Sequence, residues 1–474
     1  MTLVDDAPTP APARGDGPGL LAAIAAREPS IRILTDPGTR EAHRRDETAW
    51  LATGLPLAVA EPATTAQVAA LVSLCAEFGV PMVPRGAGTG LSGGSAGIEG
   101  ALTISFMRMN RILEIDHDNL TVTTQPGIVN ADLKAAVAAV GLFYAPDPAS
   151  YETCTIGGNL GTNAGGLCCV KYGVTRDAVL GLEIVTAAGT VIRLGGKNVK
   201  DVAGYALMPL IVGSQGTLAL VTEATLRLRA APAPRTTLLA FFPTIDTAGD
   251  AVAAMTKGGL VPVTLELMDR FTVCAVDDVH HLGLDREAAA MLLVESDLPG
   301  DAGIAEIEQA EAACQTAGAS MVLRAADAVE ADWLRAGRRL AFRALEQLGV
   351  ARMEDIGVPR SRIPDMLRAI AVVAAEHDVT IGTFGHAGDG NLHPTFVLDR
   401  DKPDEALERI AAAKAALYEA TLELGGTVTG EHGIGASRQA WLLRQRGEDA
   451  VAMMRSIKRA LDPADLLNPG RVLG

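Results

Sequence analysis

Pro84-Arg-Gly-Ala-Gly-Thr-Gly-Leu-Ser-Gly-Gly-Ser95 leads, five residues on, into Ala101-Leu-Thr-Ile-Ser-Phe106, and this order decides the fold. Gly88-Thr-Gly90-Leu-Ser-Gly93 matches the Gly-x-Gly-x-x-Gly pattern of dinucleotide-binding loops. In those folds the loop opens a helix whose N-terminus receives the pyrophosphate. Here the next regular segment, residues 101–106, reads as a strand, which disfavours a Rossmann arrangement. The loop can still hold an anion. Six glycines between Gly86 and Gly97 allow consecutive backbone N–H groups to converge as a nest. A long structural turn is the alternative, but Arg85, Thr89, Ser92 and Ser95 favour an anion cradle.

Upstream, Thr64/Thr65 can cap a helix whose apolar face is Val68, Leu71, Val72, Cys75 and Phe78. Residues 80–84 then form a short strand. Downstream, strands are expected at 120–124 and 218–228, a helix at 130–140 and a hairpin across 180–194. This alternation reads as α+β. Ala230-Ala-Pro-Ala-Pro-Arg235 reads as a linker. Helix-forming segments then dominate to about residue 378, and further helices are expected near 404–424 and 451–461. A second glycine-dense stretch, Thr155-Ile-Gly-Gly-Asn-Leu-Gly-Thr-Asn-Ala-Gly-Gly166, has few side chains to pack. A flat cofactor laid against its backbone accounts for it.

The bulk properties exclude other classes. The 474 residues suffice for two or three domains. A net charge of −16 and the lack of any Lys/Arg run argue against nucleic acid. Cys75, Cys154, Cys168, Cys169, Cys274 and Cys314 form no Cys-x-x-Cys pair, so the chain itself should hold no iron–sulfur cluster. They read as reduced, buried thiols of a cytoplasmic protein. No apolar run reaches the roughly 20 residues of a membrane span. Residues 1–25, rich in Pro and Ala, read as a disordered tail without signal-peptide order.

Ile381-Gly-Thr-Phe-Gly-His-Ala-Gly-Asp-Gly-Asn-Leu-His-Pro394 looks like half of a metal site. Asp389-Gly390 is a two-residue hairpin signal. Counting outward from it sets His386 opposite His393, with Cβ atoms roughly 5 Å apart. Later, Gly430-Glu-His-Gly-Ile-Gly435 offers a carboxylate, Glu431, and an adjacent imidazole, His432. A His/His/Glu set with an open position suits a divalent cation that binds a substrate oxygen. Two polar hairpin histidines beside an unrelated glutamate are the alternative. Three of the chain's eight histidines lie in these two glycine-rich loops, which favours function.

Taken together, these stretches resemble the flavoprotein family of FAD-linked D-lactate dehydrogenases, D-2-hydroxyglutarate dehydrogenase and the flavin subunit of glycolate oxidase. Residues 84–95, 156–166, Gly204-Tyr-Ala-Leu207, Gly213-Ser-Gln-Gly-Thr217, Gly385–His393, Gly430–Gly435 and Asn468-Pro-Gly470 carry the resemblance in joint order. It implies a two-subdomain α+β FAD domain of the vanillyl-alcohol-oxidase type (26–230) and an α+β substrate, or cap, domain (236–425). A C-terminal helical segment (426–474) would return to the flavin. It implies FAD contacts at Pro84, Arg85, Gly86, Ala87, Gly88, Thr89, Gly90, Ser92 and Gly93. Further contacts would come from Asp147, Pro148, Thr155, Gly158, Asn159, Thr162, Ala164, Gly165, Val221 and Asn468.

It also implies a divalent metal, often zinc, on His386, His393 and Glu431, with His432 as catalytic base. Arg338 would hold the substrate carboxylate; an ordinary solvated helix charge is the alternative for it. No His, Cys or Tyr lies in the first glycine loop, so FAD should be non-covalent. Gln215 and Ala206 stand where the family commonly has Glu and Asp. Met353 and Thr395 occupy positions that contact the distal carboxylate in the hydroxyglutarate enzymes. The expected reaction is oxidation of a D-2-hydroxy acid, D-lactate-like, to the 2-oxo acid. The alternatives are the flavin subunit of a glycolate-oxidase-like complex and D-2-hydroxyglutarate dehydrogenase. The resemblance implies an electron acceptor: an iron–sulfur partner, an electron-transfer flavoprotein or a quinone. It leaves the oligomer open, a homodimer included. An NAD-linked enzyme and a non-catalytic flavin or metal carrier are the remaining rivals.

Overall fold

The computed structural model describes residues 15–48, 50–400 and 407–474. The chain divides into two compact units. One comprises the described residues up to Ala164 together with Val174–Ala231 and Glu431–Gly474. The other comprises Gly165–Gly173 and Pro232–Gly430.

The first unit carries two larger sheets and a two-stranded one, Leu142–Phe143 with Arg229–Ala230. In one, the strand order is Arg32–Leu34, Ala58–Glu61, Leu102–Ser105, Met82–Arg85, with parallel pairing among the last three. Helix Thr65–Phe78 connects Ala58–Glu61 to Met82–Arg85. Thr64 starts it, its side chain accepting from Gln67 N–H, and Gly79 ends it at φ +64°. Its buried face, Val68, Leu71, Val72 and Cys75, follows the apolar periodicity. No helix follows the first glycine loop: the chain runs to Leu102–Ser105, as the sequence predicts. The second sheet is antiparallel, in the order Ile112–Asp116, Thr121–Thr124, Leu220–Arg227, Val179–Val185, Val191–Gly195.

One expectation for this unit needs amendment. Gly17–Arg27, read as tail, is a helix started by Asp16, whose side chain accepts from Gly19 N–H. Pro18 suits the first turn, and Leu20 and Ile24 enter the core, so composition alone misjudged the segment. Residues 1–14 of that expectation lie outside the described residues. The C-terminal segment returns as expected: Met82 N–H donates to Leu466 O at 2.8 Å, and Asn468 N–H to Met82 O at 2.8 Å.

The second unit is built on one antiparallel sheet. Its order is Met321–Arg324, Thr236–Phe242, Ala290–Ser296, Thr264–Asp269, Thr380–His386, Asn391–Leu398, Val350–Met353. The histidine hairpin, Thr380–His386 with Asn391–Leu398, lies inside this sheet. Its register differs from the two-residue turn: His386 faces Asn391, and His393 faces Phe384. Four residues, 387–390, make the connection, and only Gly390 takes positive φ, +77°. A Cβ there would lie 2.0 Å from Val358 O, so glycine is required by close approach as well as by φ. The register changes by two residues, which preserves the face, so both imidazoles still share one side.

Candidate active site

In the first unit an open cleft of about 240 Å³ is lined mainly by backbone of the two glycine-rich segments. The first segment holds its shape through internal bonds. Arg85 Nη1 donates to Ser95 O at 3.1 Å and Nη2 to Arg45 O at 2.8 Å. Its guanidinium therefore closes the loop, while the residue also lines the cleft. A buried cation needs acceptors, and here carbonyls supply them. Burial pulls the Arg85 pKa down, with Asp46 opposing. Gly86 allows close approach of the two segments: a Cβ there would lie 2.2 Å from Thr155 Oγ1.

The second segment is a short helix, Ile156–Thr162. Thr155 Oγ1 accepts from Gly158 N–H at 3.1 Å, and Asn163 ends the helix at φ 56°. A groove walled by glycine backbone with few side chains fits a large, flat, phosphate-bearing cofactor such as FAD. The predicted residues Pro84–Gly90 and Ser92 line the cleft, as do Pro148, Thr155, Gly158, Asn159, Thr162, Ala164 and Val221.

Gly93, Asp147, Gly165 and Asn468 are not among the lining residues. Gly93 N–H donates to Thr48 Oγ1, and Asp147 pairs with Lys134 at 3.5 Å. Gly165 belongs to the other unit. Asn468 spends its amide on Gly94 O at 2.8 Å and Gln215 O at 2.7 Å, so it clasps backbone. Sequence reasoning missed Phe106, Pro126, Cys154, Ile211 and Ser214, which also line the cleft. Their apolar or small side chains carry no distinctive signal. All six cysteines are free, but Cys169 and Cys274 are only partly buried.

Glu431 and His432 line the same cleft. His432 Nε2 lies 3.8 Å from Glu431 Oε1. The loop is fixed from below: Ser92 Oγ donates to His432 O at 3.0 Å, and Ala436 N–H donates to Ser92 O at 2.8 Å.

In the second unit His386 and His393 are buried, with ring centroids 5.2 Å apart at 85°. His386 Nδ1 bonds Glu266 Oε1 at 2.7 Å, which leaves Nε2 as the nitrogen that can ligate. His393 Nδ1 is 3.9 Å from Asp355 Oδ1. Asp355 Oδ2 accepts from Gly430 N–H at 2.9 Å and from Thr429 Oγ1 at 2.6 Å. Gly430 immediately precedes Glu431 in the chain. Two neighbouring imidazoles, that of His386 backed by a carboxylate, fit a borderline divalent ion such as zinc.

Arg338, on helix Ala328–Arg339, is buried, so it is not the solvated helix charge of the alternative reading. Its Nη2 pairs with Glu266 Oε2 at 2.6 Å, and its carbon Cζ sits 4.7 Å from the Phe384 ring centre. Its Nε is buried with no acceptor among the described residues. Sequence reasoning missed Glu266 and Asp355. Glu266 is a carboxylate set between Leu265 and Leu267 in the strand Thr264–Asp269, and that was its only signal. Met353 and Thr395 are direct cross-strand partners. Thr395 is two residues from His393, so it shares that face.

Known proteins decide the family. Residues 231–472 match the model of the C-terminal domain of FAD linked oxidases, and residues 56–195 match an FAD binding domain. The chain belongs to the FAD-linked oxidase family. It is 46% identical to glycolate oxidase subunit GlcD of Bacillus subtilis (strain 168), covering 88% of this chain and 89% of the relative. It is 35% identical to D-lactate dehydrogenase of Anaerostipes hadrus, over 93% and 94%. Its fold is similar to p-cresol methylhydroxylase, with a TM-score of 0.82 at 15% identity over 98% of each chain. The protein is thus an FAD-binding oxidoreductase with relatives named for glycolate and D-lactate, and it has a vanillyl-alcohol-oxidase-type fold. Among the described residues, no helix is long and apolar enough to cross a membrane.

Proposed function

We propose that this FAD-linked oxidoreductase oxidises a D-2-hydroxy monocarboxylate, D-lactate first, to the 2-oxo acid. The observation that carries the reading is the buried pair His386 and His393, with Asp355 holding the backbone that runs into Glu431. His386, His393 and Glu431 would hold a divalent cation, zinc by donor type, and His432 would be the base. FAD, non-covalently bound in the glycine-walled cleft, supplies a two-electron hydride acceptor, and the cation supplies Lewis acidity toward the hydroxyl.

The chain's own residues do the rest. Arg338 orients the substrate carboxylate through donors not spent on Glu266. His432 accepts the 2-hydroxyl proton as the C2 hydride leaves, so the C–O bond becomes a carbonyl and charge balances. The Ser92 contact to His432 O keeps the imidazole backbone in place. The Met353–Thr395 pair puts no cation on the His393 face for a second carboxylate. Burying such a carboxylate unpaired would be unfavourable. This supports a monocarboxylate over D-2-hydroxyglutarate.

A second reading is favoured by the relative named as a glycolate oxidase subunit. Under it, glycolate is the substrate and a partner carrying iron–sulfur centres accepts the electrons. An electron-transfer flavoprotein or a quinone would serve a chain acting without that partner. A cytoplasmic location accords with the free cysteines. Anaerobic bleaching of the flavin with D-lactate, L-lactate, D-2-hydroxybutyrate, glycolate and D-2-hydroxyglutarate tests both readings. Fastest bleaching by D-lactate supports the first, and fastest by glycolate the second. A preference for D-2-hydroxyglutarate overturns the substrate assignment, and failure of every hydroxy acid overturns the function.

A further inference from the structure

We infer that Glu266 is the positioning residue that decides which nitrogen His386 presents and how Arg338 is held. The inference rests on the proposed cation site and deepens it. Glu266 lies in strand Thr264–Asp269, whose register with Thr380–His386 pairs Leu267 with Gly385 and Met268 with Phe384. One step further along that ladder sets Glu266 beside His386. Gly388 N–H, bonded to Leu265 O at 3.0 Å, holds the hairpin end in the same register.

The carboxylate is 1% exposed: Oε1 hydrogen-bonds His386 Nδ1 at 2.7 Å, and Oε2 is ion-paired with Arg338 Nη2 at 2.6 Å without the alignment of a hydrogen bond. An ionised carboxylate only accepts, so the proton on His386 must sit on Nδ1. The ring nitrogen toward the cation is then Nε2, made more basic by the carboxylate behind it. Arg338 answers the charge that Glu266 would otherwise bury alone. Phe384 backs the guanidinium and also faces His393 across the hairpin, with ring centroids 5.5 Å apart. One side chain thus sets both the cation ligand and the carboxylate clamp. Their relative position is carried by a strand ladder and not by a loop.

Glutamine cannot do both tasks. Its carbonyl can accept from one partner, but its NH2 then meets the other partner's N–H. Glu266→Gln is therefore expected to weaken zinc binding about 10–100-fold, measured by chelator competition on metal-stripped flavoprotein. FAD content should stay at the wild-type level, and KM for the hydroxy acid should rise. The wild-type protein gives a second readout that needs no folded variant. Nitrogen-15 NMR of histidine-labelled, metal-free flavoprotein should show His386 as the Nδ1–H tautomer, its signal assigned by loss in His386→Gln. An Nε2–H tautomer in the wild type overturns the inference, as does unchanged zinc affinity in Glu266→Gln. His386→Ala with wild-type zinc affinity would instead refute the cation site itself.

Discussion

Gln215 donates from Nε2 to Ser92 Oγ at 3.2 Å while its Oε1 accepts from Gly435 N–H at 2.9 Å, so one amide ties the first glycine loop to the Glu431-His432 loop. Its backbone joins two further segments: Gln215 N–H donates to Gly161 O, and Gln215 O accepts from Asn468. A glutamate at this position could not donate to Ser92. Gln215→Ala removes two buried bonds, each worth about 1 kcal/mol. FAD affinity is expected to fall roughly 10-fold and melting temperature to drop, read by flavin fluorescence and a thermal melt. Unchanged FAD affinity would show that the tie is dispensable.

Flavin attachment is expected to be non-covalent. The loop at 84–95 has no tethering side chain. Cys154 lies in the cleft, but burial pushes its thiol up and Asn159 Nδ2 contacts its sulfur at 3.2 Å. Acid precipitation should leave the yellow colour in the supernatant, whereas a coloured pellet contradicts the expectation.

His393→Ala should abolish tight zinc binding and turnover while FAD stays bound, because His393 and the residues lining the cleft belong to different units. Metal analysis and the flavin spectrum of the same sample decide it. Full zinc occupancy in the variant would remove His393 from the site.

Replacing His432 with Ala should slow anaerobic flavin reduction by roughly 10²–10⁴-fold with little change in substrate binding. Arg338→Ala should act mainly on KM. It also leaves Glu266 as a buried carboxylate with only His386 beside it among the described residues, so lower stability is expected alongside. Stopped-flow traces over a range of substrate concentrations separate the two effects.

Burial pushes the Asp269 carboxyl up to about 6, although N–H groups of Thr272 and Thr383 oppose the shift. A carboxyl with a raised folded pKa holds its proton more tightly folded than unfolded between about pH 4 and 6. This group's contribution to stability therefore falls as pH rises through that window. Asp269→Asn stays neutral, so its melting temperature relative to wild type should climb from pH 4 to pH 6 and level off above. A difference independent of pH would mean that Asp269 is already ionised at pH 4.

By itself the sequence determined the kind of fold and where its chemistry lies. The missing helix after Gly93, the capped helix at Thr65–Phe78 and the histidine hairpin are local features, written by turn residues and apolar periodicity. Local rules did not settle the hairpin register, because close approach of Gly390 to Val358 O and the bond from Gly388 to Leu265 fix it from outside the hairpin. The face of the two histidines was still legible, since side-chain direction depends on parity and a two-residue change preserves it. Tertiary structure alone decided which polar groups are spent. Arg85 lines the cleft and Asn468 does not, and the side chains of both clasp backbone carbonyls. Glu266 and Asp355 drew no reading from the sequence, and only chain segments distant in sequence bring them to His386 and His393. A hydrogen-bond partner supplied by a remote strand leaves no spacing in the chain to count, so such partners emerge only when the sheet is assembled.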